Sequence, residues 1–280
     1  MKSDITIDYM LTSSCNLKCP FCYGPSSKVV DIELDSHKII LEGIKKNGVN
    51  KIIFAGGEPT LYRYFDEIVK YACLVGLDVS IQTNASYPSR LMRIANNFEW
   101  IAIPIDGIDN EIQNYHRTSN KHLKRSVSLI KKLNLSGFKK IKVGTVLTQK
   151  NIQELSNIYD VLSQFDIGVW KIYILRPRGN ALNIIKDISV DYNNAKKVID
   201  EIKLNHHGKF EIYLSDYTGN DNYLIVNPDS QMISVSSSGE KIHGLLIENG
   251  LFNNDVLNNA IESIDNTKNI QNSKLSFPGW

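Results

Sequence analysis

The chain of 280 residues has no apolar run long enough to span a membrane, and its first residues, MKSDITIDYM, hold no leader-like apolar core. The expectation is a protein without a signal peptide, in the cytoplasm and away from membranes. Net charge is nearly absent: 32 basic and 30 acidic side chains leave +2. Such a balance provides no general field for gripping nucleic acid or an anionic lipid surface. With 4 cysteines there is no disulfide scaffold. Apolar residues at 42% and charged residues at 22% exclude a disordered, collagenous or coiled-coil chain. The length allows one large α/β barrel or two small domains.

What is present is an alternation of short β-type runs with helical stretches. Ile5–Met10, Lys51–Ala55, Asp78–Gln82, Trp100–Ile105, Lys140–Leu147 and Trp170–Leu175 read as strands. Between and after them, Asp35–Asn47, Tyr64–Val75, Pro88–Asn97, Lys121–Leu133, Asn151–Gln164 and Val190–Leu204 have helical apolar spacing. Six β-then-α units predict a parallel sheet with right-handed crossovers, an α/β fold of the partial (β/α)6 TIM-barrel type. The rhythm changes near Gly208. Residues 1–208 are therefore expected to form the barrel, and 209–280 a short α+β extension. That extension has a β-like run at Phe210–Leu214, a hairpin of Tyr223–Val226 with Met232–Val235, and a last helix at Asp255–Ile264.

Chemistry-bearing residues fall just after predicted strands, where a barrel gathers its active site. Cys15-Asn-Leu-Lys-Cys19-Pro-Phe-Cys22 places three thiols on one loop. Three thiolates can hold three corners of a cubane cluster and leave one iron open. Zinc is the rival, although structural zinc asks for four ligands, and three unrelated thiols are the bland alternative. Cys73, flanked by Ala72 and Leu74 in a helical stretch, reads as structural. Lys139, Lys140 and Lys142 read as a solvated strand edge.

The C-x3-C-x-Φ-C pattern, with Phe21 as Φ, resembles the signature of the radical S-adenosylmethionine (radical SAM) enzymes. The resemblance extends over about residues 5–205 and includes Gly56-Gly57-Glu58-Pro59, similar to the family's GGEP motif, and Thr83-Asn84, similar to its T-N element. It implies a [4Fe–4S] cluster on Cys15, Cys19 and Cys22, with S-adenosyl-L-methionine (AdoMet) chelated at the open iron. It further implies one-electron cleavage of the sulfonium, a 5′-deoxyadenosyl radical, and hydrogen abstraction from a substrate. An electron donor such as flavodoxin or ferredoxin is required.

Site roles follow from the same resemblance. Gly56 and Gly57 let the backbone approach the AdoMet ammonium, unless they form an ordinary turn. Glu58 offsets the ammonium charge. Phe21 packs near the adenine. Thr83 and Asn84 offer short polar groups, or cap the next turn. Asp106 accepts ribose hydroxyls. Arg117 pairs with the AdoMet carboxylate or lies on the surface, and Thr145 and Leu147 face the adenosine. The chain departs from the family at Ile103-Pro104-Ile105-Asp106, where many members have Ser before x-Asp.

No cysteine follows residue 73, which argues against auxiliary clusters. Size, a single cluster motif and Tyr223-Leu224-Ile225 lean toward the viperin-like branch, which dehydrates nucleoside triphosphates. Independently of that resemblance, Arg176 and Arg178 after the sixth strand are candidates to hold a phosphate or carboxylate, or lie in a solvated basic loop, with Tyr213, Asp216, Tyr217 and Trp280 expected near the mouth. The alternatives are modification of a peptide, by epimerisation or crosslinking, and a non-catalytic iron–sulfur sensor. Cys15→Ala, Cys19→Ala or Cys22→Ala is expected to abolish iron retention and the brown colour. Cys73→Ala is expected to keep both; iron analysis of anaerobically reconstituted protein checks the set.

Overall fold

The computed structural model describes residues 4–22, 24, 30–175, 179–205, 208–215, 222–236, 239–264, 266 and 268–270. The six expected strands are present: β1 (Thr6–Thr12), β2 (Lys51–Gly56), β3 (Asp78–Gln82), β4 (Trp100–Pro104), β5 (Ile141–Leu147) and β6 (Val169–Ile174). They pair in parallel in chain order. The crossovers carry α1 (Leu34–Lys46), α2 (Phe65–Leu74), α3 (Pro88–Arg93), α4 (Asn110–Arg117), α5 (His122–Leu135) and α6 (Leu155–Leu162). After β6 come α7 (Ile185–Ile188) and α8 (Tyr192–Asn205).

The sheet does not stop near residue 208. β7 (Glu211–Ser215) adds to β6 in parallel, and β8 (Tyr223–Val226) adds to β1 in parallel on the other side. The expected hairpin is β8 with β9 (Gln231–Ser236), and β10 (Gly239–Leu245) extends it antiparallel. The result is a 10-stranded sheet, ordered β10-β9-β8-β1-β2-β3-β4-β5-β6-β7. A two-stranded ribbon of Ile247–Glu248 with Leu251–Phe252 and the helix α9 (Asn254–Glu262) complete the described chain.

The parallel strands bury both faces, so they read as nearly continuous apolar runs. One face, with Ile7, Tyr9, Phe54, Ile103 and Trp170, forms the main core under the helices. The alternate residues form the inner wall, where Ile53, Trp100, Val169 and Tyr213 make a separate cluster. Gly168 allows that contact: a Cβ there would lie 2.6 Å from the Trp100 ring. No described helix is long and apolar enough to cross a membrane.

Two buried histidines belong to this packing. The Tyr9 hydroxyl meets His37 Nδ1 at 2.8 Å between β1 and α1. Burial lowers the pKa of His37 to about 4 and that of His122, on α5, to about 3. Each folded value lies below the unfolded value near 6.5. The unfolded chain therefore binds more protons in between, and stability rises with pH there. Stability is expected to be full above pH ~6.5 and to fall as pH drops toward ~4, with His37 alone contributing on the order of 3 kcal/mol. Urea midpoints between pH 7 and 4.5 check this. His37→Phe should flatten part of the slope, and an unchanged slope would refute the assignment.

Candidate active site

Chain exits on the C-terminal rim of the sheet build the site: those of β1, of β2 with the adjoining Thr83-Asn84 exit of β3, and of β4. The first is the loop after β1. Its base is tied to the segment entering α1, because Thr12 Oγ1 donates to Asp31 and Ser13 N donates to Asp31 Oδ1 at 2.9 Å. Cys22 N donates to Cys19 O at 3.2 Å and closes the turn that carries Phe21. Asn180 N donates to Cys22 O at 2.9 Å, and Lys18 N donates to Thr118 Oγ1 at 2.9 Å. The cysteine loop is thus held from three sides. Nothing in the sequence marked Asp31 or Asn180, since neither belongs to a local pattern.

Cys15 is exposed, and Cys19 and Cys22 are half-buried. Burial pushes the Cys15 thiol up and the Cys19 thiol up to about 11, although Arg117 pulls Cys19 down. Cys22 raises both, and Cys15 raises Cys19, so the three sulfurs share one electrostatic neighbourhood. A metal centre would reverse this preference for the thiol form. Among the described residues no three His, Cys, Asp or Glu side chains already stand as a metal-holding group. The donor set fits an iron–sulfur cluster by its chemistry: three soft thiols on one loop, with the fourth remote. Cys73 lies half-buried on α2, its Sγ 3.4 Å from Asn97 O.

The second exit is the turn after β2. Gly56 has φ +130°, and a Cβ there would lie 2.5 Å from Thr12 O; at Gly57 one would lie 2.2 Å from Ser14 O. The glycines therefore serve close approach to the base of the cysteine loop. Gly57 N donates to Thr12 O at 2.7 Å, and Glu58 N to Ser14 O at 2.8 Å. Pro59 is buried and opens a 3-10 turn over Pro59–Leu61, which Glu58 caps. The Glu58 carboxylate is fully buried and accepts from Thr60 N, Thr60 Oγ1, Thr83 Oγ1 at 2.7 Å and Asn84 N at 2.6 Å. Burial raises its pKa, and these bonds oppose the rise. Among the described residues it has no ion pair. Asn84 then returns to the cysteine loop, its Nδ2 3.7 Å from Cys15 Sγ and 3.0 Å from Asn16 Oδ1. Asn84 Oδ1 also caps the following turn at Ser86 N.

The third exit follows β4. Asp106 is 0% exposed. Arg117 Nε donates to its Oδ2 at 2.6 Å and Arg117 Nη2 to its Oδ1 at 3.2 Å, while Val146 N donates to Oδ1 at 2.8 Å. Burial acts to raise the Asp106 carboxyl, but Arg117 and these donors bring it below the usual range. The expected ribose acceptor and the expected carboxylate partner thus meet each other. Arg117 also lies over the Phe21 ring, 5.2 Å from its centroid.

Thr145 and Leu147 point the other way. Thr145 Oγ1 bonds Ile105 O and receives Trp170 Nε1, and Leu147 is in the helix-covered core. Lys142 corrects the reading of a solvated edge: it is 2% exposed on the inner wall, beside Lys171 at 3%. Their ammonium groups lie 5.5 and 5.2 Å from the Tyr173 ring centroid. Burial lowers the Lys142 pKa, Lys171 lowers it further, and Asp8 opposes. Period-2 alternation in Lys-Ile-Lys-Val looks alike for a polar lumen and for solvent. Ser80 Oγ, on the same wall, is buried with no hydrogen-bond partner among the described residues. A cavity of about 650 Å³ adjoins the rim, lined by Ile174, Leu175, Ile185 and Tyr192. Arg176, Arg178, Asp216, Tyr217 and Trp280 lie outside the described residues.

A parallel α/β sheet whose rim carries a three-thiol loop, a Gly-Gly-Glu turn bonded to it and a polar inner wall defines a class of cofactor-dependent α/β enzymes. The chain belongs to the radical SAM superfamily, whose family model matches residues 9–162. It is therefore a radical SAM enzyme, with a [4Fe–4S] cluster and AdoMet as its cofactors. It is 25% identical over 260 residues to an S-adenosylmethionine-dependent nucleotide dehydratase of Flammeovirga pacifica, covering 88% of each chain. A protein of the same name from Selenomonas ruminantium is 31% identical over 184 residues, covering 59% of this chain and 64% of that one. Among solved structures, Streptococcus suis SuiB bound to S-adenosylmethionine superposes with TM-score 0.68 at 14% identity, over 81% of this chain and 59% of SuiB, which shows the shared fold.

Gly57→Ala is expected to cost about 1–3 kcal/mol through overpacking against Ser14, with helical circular dichroism retained. The displaced loop should then fail to load iron. Normal iron content in this variant would contradict the packing account.

Proposed function

We propose that the chain is an AdoMet-dependent nucleotide dehydratase, removing water from a nucleoside triphosphate. The observation that carries this reading is the similarity to the Flammeovirga dehydratase over 88% of both chains, which takes in the region beyond the superfamily match. In this reading residues 1–208 bind the cofactors, and 209–280 flank the substrate.

Cys15, Cys19 and Cys22 would hold three irons and leave the fourth to AdoMet. The cofactors, when bound, supply one-electron cleavage of the sulfonium and hydrogen abstraction from the substrate. Glu58 sets a buried negative charge beside the ammonium; its oxygens are already fixed, so it acts as a stationary charge. Gly56, Gly57, Pro59, Thr83 and Asn84 hold that charge against the cysteine loop. Phe21 offers its ring to the adenosine part. Lys142 and Lys171 are the inner-wall cations for the substrate's phosphates, with Arg176 and Arg178 as further candidates. Two buried lysines on one wall suit a polyanion, and burial together with Lys171 disfavours the charged form of Lys142. The exposed Cys15 side of the loop is where flavodoxin or ferredoxin would deliver the electron, in the reducing cytoplasm.

Reconstituted enzyme, AdoMet and dithionite, incubated anaerobically with each nucleoside triphosphate, should give 5′-deoxyadenosine and a nucleotide lighter by one water. Lys171→Met should raise KM for that nucleotide by about tenfold to a hundredfold, the range of a lost charged hydrogen bond. Mass spectrometry finding no dehydrated product with any triphosphate, alongside turnover on a precursor peptide, would overturn the nucleotide reading in favour of peptide modification.

A further inference from the structure

The turn after β4 is more firmly built than a ligand-binding turn requires. Asp106 and Gly107 both donate their backbone N–H groups to Gln113 Oε1, at 2.7 and 2.8 Å. Asn151 Nδ2 donates to Asp106 O at 2.8 Å and to Val146 O at 2.9 Å. Gln113 and Asn151 are themselves buried, at 1% and 0% exposed. The Asp106 carboxylate is enclosed with them, and both of its oxygens accept bonds from Arg117. A hydroxyl at the rim therefore has no open face of Asp106 to donate to.

Arg117 is placed differently. Its side chain keeps 15% exposure, it closes α4, and it overlies Phe21 between two of the loop's cysteines. With Nε and Nη2 committed to Asp106, the guanidinium also hydrogen-bonds the Cys19 side chain, which brings it to the cysteine loop at the mouth. An Arg fork fixed along one edge presents the rest of its donors in a set direction.

We infer that Asp106 is a positioning residue: it touches no part of AdoMet and instead locks Arg117 so that the guanidinium meets the AdoMet carboxylate at the cluster mouth. This deepens the radical SAM reading of the site and rests on it. The sequence-level alternative gives Asp106 to the ribose, and the two assignments act on opposite halves of AdoMet.

The halves can be offered separately. Binding of AdoMet, methionine and 5′-deoxyadenosine to anaerobically reconstituted protein is measured by equilibrium dialysis. Asp106→Asn should weaken AdoMet and methionine by about tenfold or more, and leave 5′-deoxyadenosine within about twofold. Arg117→Gln should show the same pattern. The double variant should be no weaker than Arg117→Gln alone, the non-additivity of residues that act as a unit. Loss of 5′-deoxyadenosine with methionine retained would overturn the inference in favour of a ribose acceptor. Equal loss of all three ligands would overturn it in favour of a merely structural role. If Asp106→Asn does not fold, the Arg117→Gln pattern decides: selective loss of methionine supports the inference and a flat profile overturns it. Wild-type protein that loads a cluster yet binds none of the three ligands would instead fail the radical SAM reading itself.

Discussion

The site depends on a hydrogen-bond ladder that outlasts the strands that started it. β1 and β2 pair in register from Thr6 with Lys51, shift by a bulge between Met10 and Thr12, and continue as Thr12 opposite Gly56. Beyond that point the bonds from Gly57 N to Thr12 O and from Glu58 N to Ser14 O carry the pairing into the loops. Two irregular segments are thereby fixed as though they were strand. The glycines are the condition for this, since a side chain at either would enter the partner backbone. Once Glu58 is placed, its carboxylate organises Thr60, Thr83 and Asn84, and Asn84 reaches back to Cys15. The exits of β1, β2 and β3 form one closed circuit, so the cysteine loop is positioned before any cofactor enters.

Buried charge of two kinds then surrounds the mouth. Asp106 and Arg117 neutralise one another, and breaking such a pair by removing one partner is costly because the other is left buried. Lys142 is different: burial and the neighbouring Lys171 favour its neutral amine, and Asp8 opposes this.

The order of strands and the positions of the site turns were legible because parallel strands buried on both faces give unbroken apolar runs, and glycines such as Gly48 and Gly76 stop the helices cleanly. α4 was not legible. It is a polar helix whose buried positions are Gln113 and His116, so it lacks the apolar stripe that a sequence reading follows. β10 is largely exposed and has no buried face to reveal it. The pairing of Asp106 with Arg117 was hidden for another reason: each residue type suits a ligand, and only the turn between β4 and α4 shows that they meet. The seventh parallel strand was read as the start of an extension, although the helical spacing of Val190–Leu204, which becomes α8, leads into it as in the six units before.

The division between rim and wall also bears on what sets the substrate. SuiB, at 14% identity, has the same fold over most of this chain. A fold held through that much divergence constrains the helix-covered face, where Trp170, Ile103 and Phe54 pack, far more than it constrains the chemistry inside. The inner wall carries a smaller load, in the cluster of Ile53, Trp100, Val169 and Tyr213. The lumen-facing positions of β5 and β6, Lys142 and Lys171 among them, stand one residue out of phase with the positions that hold the barrel together.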